Sequence, residues 1–442
     1  MKKSIAILLA AVITSLAACG SPSTPSSPSD ASGTQTGTQE GQPQGGDTAS
    51  SEEPVTIKFA NYAILEEGYT AFWEGVKEGF EARHPHITIE WVTAPYGEIM
   101  TQVINMAGGG DRVDLMFGEL DWTPVMEDTG LSVPVDTVLS QEFLSDFYPN
   151  VLDAHRVNDE LFAIPLYVSP FVLYYNRNIL ERAGFDAPPA TYDEMLAMGE
   201  VISQLQTDDG NPIFTFGQAT ASRPVSGAAL TGMIYNFGGE LLAEDGSLSI
   251  DNDGFNETFE MLALLEERGY NPQNALLRDL RNLFALEQLA MYYDQSWGFN
   301  GVSSINPDAA SFAATAAPLA GGNGDGYSIL QAHVLMFMDN GEARREATRL
   351  FTEYLLTWEV LGDYMTSLTP AYPAMRSMEG RVSPMLSGAA DSIEKTKPIA
   401  FVPELTDLYL ELCAMAQSVT VGGRDVASAI TEFRNAAHSI LN

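Results

Sequence analysis

The chain has 442 residues, 45% of them hydrophobic, and carries 59 Asp plus Glu against 22 Lys plus Arg, a formal net charge of −37. A surface this acidic repels nucleic acid and anionic lipid, so no nucleic-acid partner is expected. The two cysteines are too few for a disulfide scaffold, and the apolar content suits a large folded body.

Lys2 and Lys3 open the chain, residues 5–13 are almost wholly apolar, and Ala17 and Ala18 stand directly before Cys19. Basic, apolar and small-residue regions in that order form a secretory signal, here residues 1–18. The apolar run is shorter than the ~20 residues a spanning helix needs. Leu16-Ala17-Ala18-Cys19 resembles the bacterial lipobox. The resemblance implies cleavage before Cys19, lipid on its thiol, and a mature chain tied to the extracytoplasmic face of the cell membrane. Two acyl chains hold firmly where one is marginal. Residues 19–53 follow, rich in Ser, Thr, Gly, Gln and Pro with no apolar side chain larger than alanine. Such a segment cannot offset the entropy of ordering and reads as a disordered tether. With Cys19 lipidated, Cys413 has no partner. It lies in an apolar helical run and reads as a buried small hydrophobe.

The rest of the chain exceeds the usual size of one hydrophobic core, so two domains are expected. Residues 55–60 alternate like a strand, and 69–83 place Phe72, Trp73, Val76 and Phe80 on one helical stripe. A strand at 87–93, a helix at 96–107 stopped by three glycines, and a strand at 114–117 come next. This order predicts an α/β layer with a parallel sheet. Strands are expected at 162–165 and 171–175, and a helix at 176–183. Thr191 and Glu194 fit a capping box for a helix over 192–205. Helices follow at 226–237, 255–268 and 276–287, then a strand at 290–293. Apolar runs at 316–319 and 333–337 flank a glycine-rich loop, 321–326, expected to be flexible at a cleft edge. Helices at 344–356, 409–419 and 425–441 end the chain. Residues 54–165 are assigned to a first lobe and 166–325 mainly to a second with hinge crossovers. Residues 326–442 return as segments shared between lobes, with C-terminal helices.

Several dispersed motifs agree in order and spacing with one family. They are Phe80 to Ile89, Val113-Asp-Leu-Met-Phe, Phe162-Ala-Ile-Pro, Tyr174-Tyr-Asn, Pro188-Pro-Ala-Thr-Tyr-Asp-Glu-Met, Gly238-Gly-Glu, Ala290-Met-Tyr with Ser296-Trp, and Pro370-Ala-Tyr-Pro. Over residues 55–442 the chain resembles the extracellular solute-binding proteins of bacterial ABC importers, in the sugar-binding group that includes the maltose-binding protein. The resemblance implies a two-lobed periplasmic-binding-protein-like α/β fold with a hinge and an interlobe cleft. It also implies a carbohydrate ligand, delivery to the membrane permease subunits of an importer, and a monomer. Trp297 matches a tryptophan that stacks on a sugar ring in that group, and Asp121 an acidic residue that takes sugar hydroxyls. Ser169 falls where the group has a further acidic ligand residue, which argues against maltose itself.

A sugar needs aromatic plates for its apolar faces and polar acceptors for its hydroxyls. Trp297 with Asp294, and Glu119, Asp121 and Trp122, each follow a strand and pair an aromatic with a carboxylate. Glu119 could equally be solvated surface. Asn61 and Tyr62 follow the first strand and would face the same cleft. Tyr167 and Tyr372 could plate a sugar or pack a hinge, and Arg223 could donate to hydroxyls or sit on the surface. The cluster of aromatics leans toward an oligosaccharide. His155, His333, His84 and His86 show no metal-ligand spacing and read as structural or surface, so no metal and no cofactor is expected. Two readings compete with binding. An exported glycoside hydrolase would need two carboxylates ~5–9 Å apart across a scissile bond, and an adhesin would keep the cleft without transport.

Overall fold

The computed structural model of the chain describes residues 53–441. The expected signal, Cys19 and the polar segment up to residue 52 lie outside the described residues. Two larger β-sheets flanked by helices form most of the body, beside two short two-stranded pairings. The first sheet contains β1 (Val55–Ala60), β2 (Ile87–Val92), β3 (Leu115–Glu119) and β4 (Ala163–Val168). The second contains β5 (Phe171–Asn176), β6 (Phe214–Gly217), β7 (Leu289–Gln295) and β8 (Ala313–Ala316). A ninth strand, β9 (Ala332–Phe337), returns to the first sheet.

Local pattern explains the outer elements. In β2, Ile87 and Ile89 are buried while Thr88 and Glu90 are exposed, the alternation of a strand with one covered face. In the helix Thr70–Arg83, Trp73, Val76 and Phe80 form the buried stripe, and Trp73 meets Phe59 of β1 edge-on at 5.8 Å. Central strands behave differently. Every residue of β4 and β7 is buried, because helices or loops cover both faces.

The first sheet runs in the order β2-β1-β3-β9-β4. β1 pairs parallel with β2 and β3, as expected. The sheet is nevertheless mixed, because β9 enters antiparallel between β3 and β4. No local pattern announces this, since β9 is remote in sequence from both neighbours. The second sheet, β8-β5-β7-β6, is mixed as well: β6 and β7 are parallel, and β5 is antiparallel to β7 and β8.

The chain passes between the sheets at Ser169-Pro170, again between β8 and β9, and near Tyr372, which bridges Val168. The crossings are tied together. Ser169 donates its backbone N–H to the Gln331 carbonyl at 2.7 Å, and its hydroxyl lies 2.6 Å from that of Ser296. The C-terminal helices Leu405–Thr420 and Val426–Ile440 pack with the helices Pro224–Asn236 and Asp253–Glu267. Cys413 is buried there, and burial pushes its thiol up to about 11, as expected of a packing residue.

Two details refine the local expectations. Thr191 caps the helix Tyr192–Ile202 by accepting from the Glu194 backbone N–H at 3.1 Å. Glu194 reaches back to the N–H of Ala190 at 2.7 Å, one residue beyond the expected reciprocal bond. The glycine-rich loop is packed against its neighbours. A Cβ on Gly321 would lie 2.4 Å from the Phe237 ring, and one on Gly324 would lie 2.2 Å from the Asn236 carbonyl oxygen. These glycines therefore serve close approach to the end of the helix Pro224–Asn236.

Candidate functional site

β1, β3 and β7 end at Ala60, Glu119 and Gln295, and the residues that follow them line one crevice between the sheets. Ligand sites in α/β sheets sit beyond such carboxyl ends. The crevice has two chambers. The larger, of about 910 Å³, is bordered by Glu119, Asp121 and Arg156 on the first-sheet side and by Tyr235, Trp297 and Lys397 on the other. The smaller, of about 290 Å³, is bordered by Tyr62, Glu66, Tyr69, Tyr167, Arg281 and Tyr364. Trp297 and His333 border both.

The first-sheet wall is acidic and aromatic. Asn61 is buried, and its Oδ1 accepts the Ala63 N–H at 2.9 Å, which fixes the turn that carries Tyr62. The Tyr62 ring stacks on Phe117 at 5.4 Å and meets Tyr96 edge-on at 5.1 Å. Trp122 starts the helix Trp122–Asp128 and lies 5.3 Å from Tyr96 and 6.0 Å from Tyr62. Around these rings stand Glu66, Glu119 and Asp121. Burial pushes the Glu119 carboxyl up, but the hydrogen bond and charge of His333, with a hydrogen bond from Tyr96, bring it below its ordinary value. Desolvation, followed by the charge of Glu119, pushes Asp121 up to about 6. Glu66 is raised too, first by desolvation, with Glu119 adding to the rise and His333 opposing it.

The opposite wall is a clamped turn. Arg281, from the helix Leu277–Ala285, grips Asp294 with Nε at 2.6 Å and Nη2 at 2.8 Å. Asp294 is wholly buried and also accepts the Gln295 N–H at 2.8 Å. Desolvation raises its carboxyl, and the two Arg281 bonds work against that rise. A Cβ on Gly298 would lie 2.1 Å from Asp294 Oδ2, so the carboxylate can sit under the turn only because residue 298 is glycine. Trp297 is presented above this clamp, with its Nε1 donating to Gln295 Oε1 at 3.1 Å. Gln295 in turn donates to the side chain of Gln331 on the crossing segment.

The structure thus brings Trp297, Glu119 and Asp121 to the crevice, with Tyr62 and Tyr167 buried in its wall and Trp122 beside Tyr62. It does not bring the others. Asp294 lies beneath the turn as the partner of Arg281, and Asn61 is wholly buried with its Oδ1 holding its own turn. Tyr372 is wholly buried and donates its hydroxyl to the Leu386 carbonyl at 3.1 Å, so it packs a crossing. Arg223 is exposed at the start of the helix Pro224–Asn236, outside both chambers. Besides Arg156, the crevice is bordered by Arg281, and the residue most surrounded by site groups is His333. Neither carries a motif; Arg281 precedes the Trp297-bearing strand by one helix, which is the only signal that could have drawn notice to it. Among the described residues no group of three or more His, Cys, Asp or Glu could hold a metal ion. Among the same residues no helix is long and apolar enough to cross a membrane.

Two mixed α/β layers joined by several crossing segments, with a cleft at their strand ends, define a two-lobed binding protein of the periplasmic type. The chain belongs to the bacterial extracellular solute-binding proteins, whose family model matches residues 62–360. A binding protein of Brucella abortus (strain 2308) is 23% identical over 288 residues, 63% of this chain and 67% of the other. Two solved structures share the fold. The cyclic alpha-maltosyl-1,6-maltose binding protein of Arthrobacter globiformis aligns with TM-score 0.75 at 17% identity, over 88% of this chain and 99% of its own. The sugar-binding protein of the phytopathogen Xanthomonas citri aligns with TM-score 0.72 at 20% identity, over 87% and 97%. The family and these relatives are binding proteins, which hold a solute and do no chemistry on it.

Proposed function

We propose that the chain captures a carbohydrate, an oligosaccharide, in the crevice between its lobes and delivers it to the permease subunits of an ABC importer. The observation that carries this reading is the larger chamber, about 910 Å³ with Trp297 at one end and Glu119 and Asp121 on the facing wall. That volume lies in the upper part of the range for small-molecule sites, ~300–1,000 Å³. An indole offers a plate for the apolar face of a sugar ring, and carboxylates accept from its hydroxyls. Two of the structural relatives are named for sugars they bind, which supports the ligand class. Lobe closure about the crossing segments would enclose the ligand and present one closed surface to a permease.

The lipid anchor belongs to the same proposal. Lipid on Cys19 would hold the receptor, as a monomer on the polar segment 19–53, at the extracytoplasmic face of the membrane that contains its permease. Tethering raises the effective concentration of one partner near the other. Calorimetric titration of the body from residue 54 with a broad glycan panel tests the ligand. Stoichiometric binding without product is expected. Turnover of any glycan would replace binding by hydrolysis, and silence across the panel would remove the carbohydrate. Metabolic labelling with a fatty acid tests the anchor: label on the full chain and none on Cys19→Ser is expected, and equal label on both would remove it.

A further inference from the structure

We propose that His333 is a specificity-determining residue: its ring, flat against Trp297, ends the sugar site at the junction of the two chambers and so limits the length of oligosaccharide accepted. The inference rests on the carbohydrate reading above.

The two rings lie 5.2 Å apart with only 10° between their planes, and they are the side chains that border both chambers. A sugar ring stacked on that face of Trp297 would need the space the imidazole occupies. The partition is also held on every side. In register, His333 pairs with Glu119 of β3 on one flank and Tyr167 of β4 on the other. Its Nδ1 is hydrogen-bonded to the Tyr167 hydroxyl. Its Nε2 lies 3.4 Å from Glu119 Oε1 and 3.4 Å from the Tyr62 hydroxyl. Phe117 and Tyr167 close on its edges at 5.2 and 5.1 Å, steeply inclined to it. The β9 register shifts between His333 and Val334; such bulges re-aim side chains. Trp297 is fixed from its own side by Gln295 and by the turn over Asp294.

A wall with both ring nitrogens engaged, packed among aromatics, resists displacement by one more sugar ring. Forcing an extra group against a packed wall costs enough to lower affinity about tenfold or more. Beyond the wall, the chamber of about 290 Å³ has room for a small ligand group and shares only this pair of side chains with the larger one. Replacing the imidazole by a methyl group joins the two spaces, whereas a phenyl ring keeps the wall and discards its hydrogen bonds.

The test is calorimetric titration with ladders of linear α-1,4-glucan, β-1,4-glucan and β-1,4-xylan oligosaccharides of increasing length, on wild type, His333→Ala and His333→Phe. Wild type is expected to show an optimum length in the ladder it binds, with a loss of about tenfold or more at the next length. His333→Ala should shift that optimum by at least one ring, and His333→Phe should keep it. A crystal structure of wild type with the longest bound member should show its terminal ring stopping at the Trp297–His333 pair, a readout independent of how the variants fold. An unmoved optimum in folded His333→Ala, or a ring in the chamber beside Tyr69 and Tyr364, overturns this inference and leaves the carbohydrate reading intact. Wild type binding no ladder overturns this inference, and silence across the broad glycan panel as well overturns the carbohydrate reading with it.

Discussion

The two walls of the crevice are built on opposite principles. The first-sheet wall gathers side chains from the ends of β1, β3 and β9 and leaves their carboxylates partly unsatisfied, with Asp121 pushed up to about 6. The opposite wall presents one aromatic plate, Trp297, on a turn whose carboxylate is fully committed to Arg281. One wall therefore keeps unspent hydrogen-bonding capacity, and the other keeps rigidity. A receptor that must recognise many hydroxyls yet hold a sugar ring in one plane gains from that division.

The sharpest way to break the contrast is to remove the clamp. Asp294→Ala leaves the Arg281 guanidinium without its partner under a buried turn, and loss of one half of a buried pair costs about 3–5 kcal/mol. Urea denaturation should show that loss; a change below about 1 kcal/mol would mean that the turn does not depend on the pair. Next comes Trp297→Ala, expected to lower sugar affinity by about 2 kcal/mol or more while cooperative melting persists. Unchanged affinity would move the plate elsewhere. Gly298→Ala drives a methyl group into Asp294 and should cost about 1 kcal/mol or more in stability, measured again in urea. Indifference there would show that the turn has slack.

The smallest effect concerns the first wall. Because the folded value of Asp121 lies above the ordinary carboxylate range, the folded chain holds this proton more tightly than the unfolded chain does. Its contribution to stability is thus greatest at low pH and declines as pH rises through about 6. Asp121→Asn should flatten that decline in thermal melts between pH 4 and 7. The residue as a whole is exposed although its carboxyl is desolvated, so solvent screening keeps the effect well under about 1 kcal/mol. A pH dependence identical in both proteins would assign the decline to other groups.

Much of the fold was legible because its elements are locally encoded. β1 spans the expected residues, and the helix Thr70–Arg83 starts one residue after the expected position, since an apolar stripe and a proline stop are properties of adjacent residues. The parallel-sheet expectation failed at β9, whose apolar run carries no mark of direction or partner. The site followed the same division. Trp297, Glu119, Asp121 and Tyr62 could be proposed because each lies at or just past the end of a strand, and strand ends face the crevice. Asp294 was placed by the same rule and lies beneath the turn, because its acceptance of Arg281 cannot be read from spacing. For Arg223 and Tyr372 the sequence leaves a surface position and hinge packing open beside ligand contact, and those are the positions the structure gives them.

By itself the sequence determined the α/β alternation, the caps, the tryptophan at the end of β7 and the acidic loop after β3, all of which rest on neighbours within a few residues. The signal and the lipid on Cys19 expected from the sequence lie outside the described residues. Only the tertiary structure decided that β9 slots between β3 and β4. That pairing sets His333 beside Glu119 and, across 166 positions of sequence, beside Tyr167. The approach of the second sheet then lays Trp297 flat on the histidine. The physical reason is that strand partners at long range are selected by the summed burial of whole faces, a quantity no short segment contains.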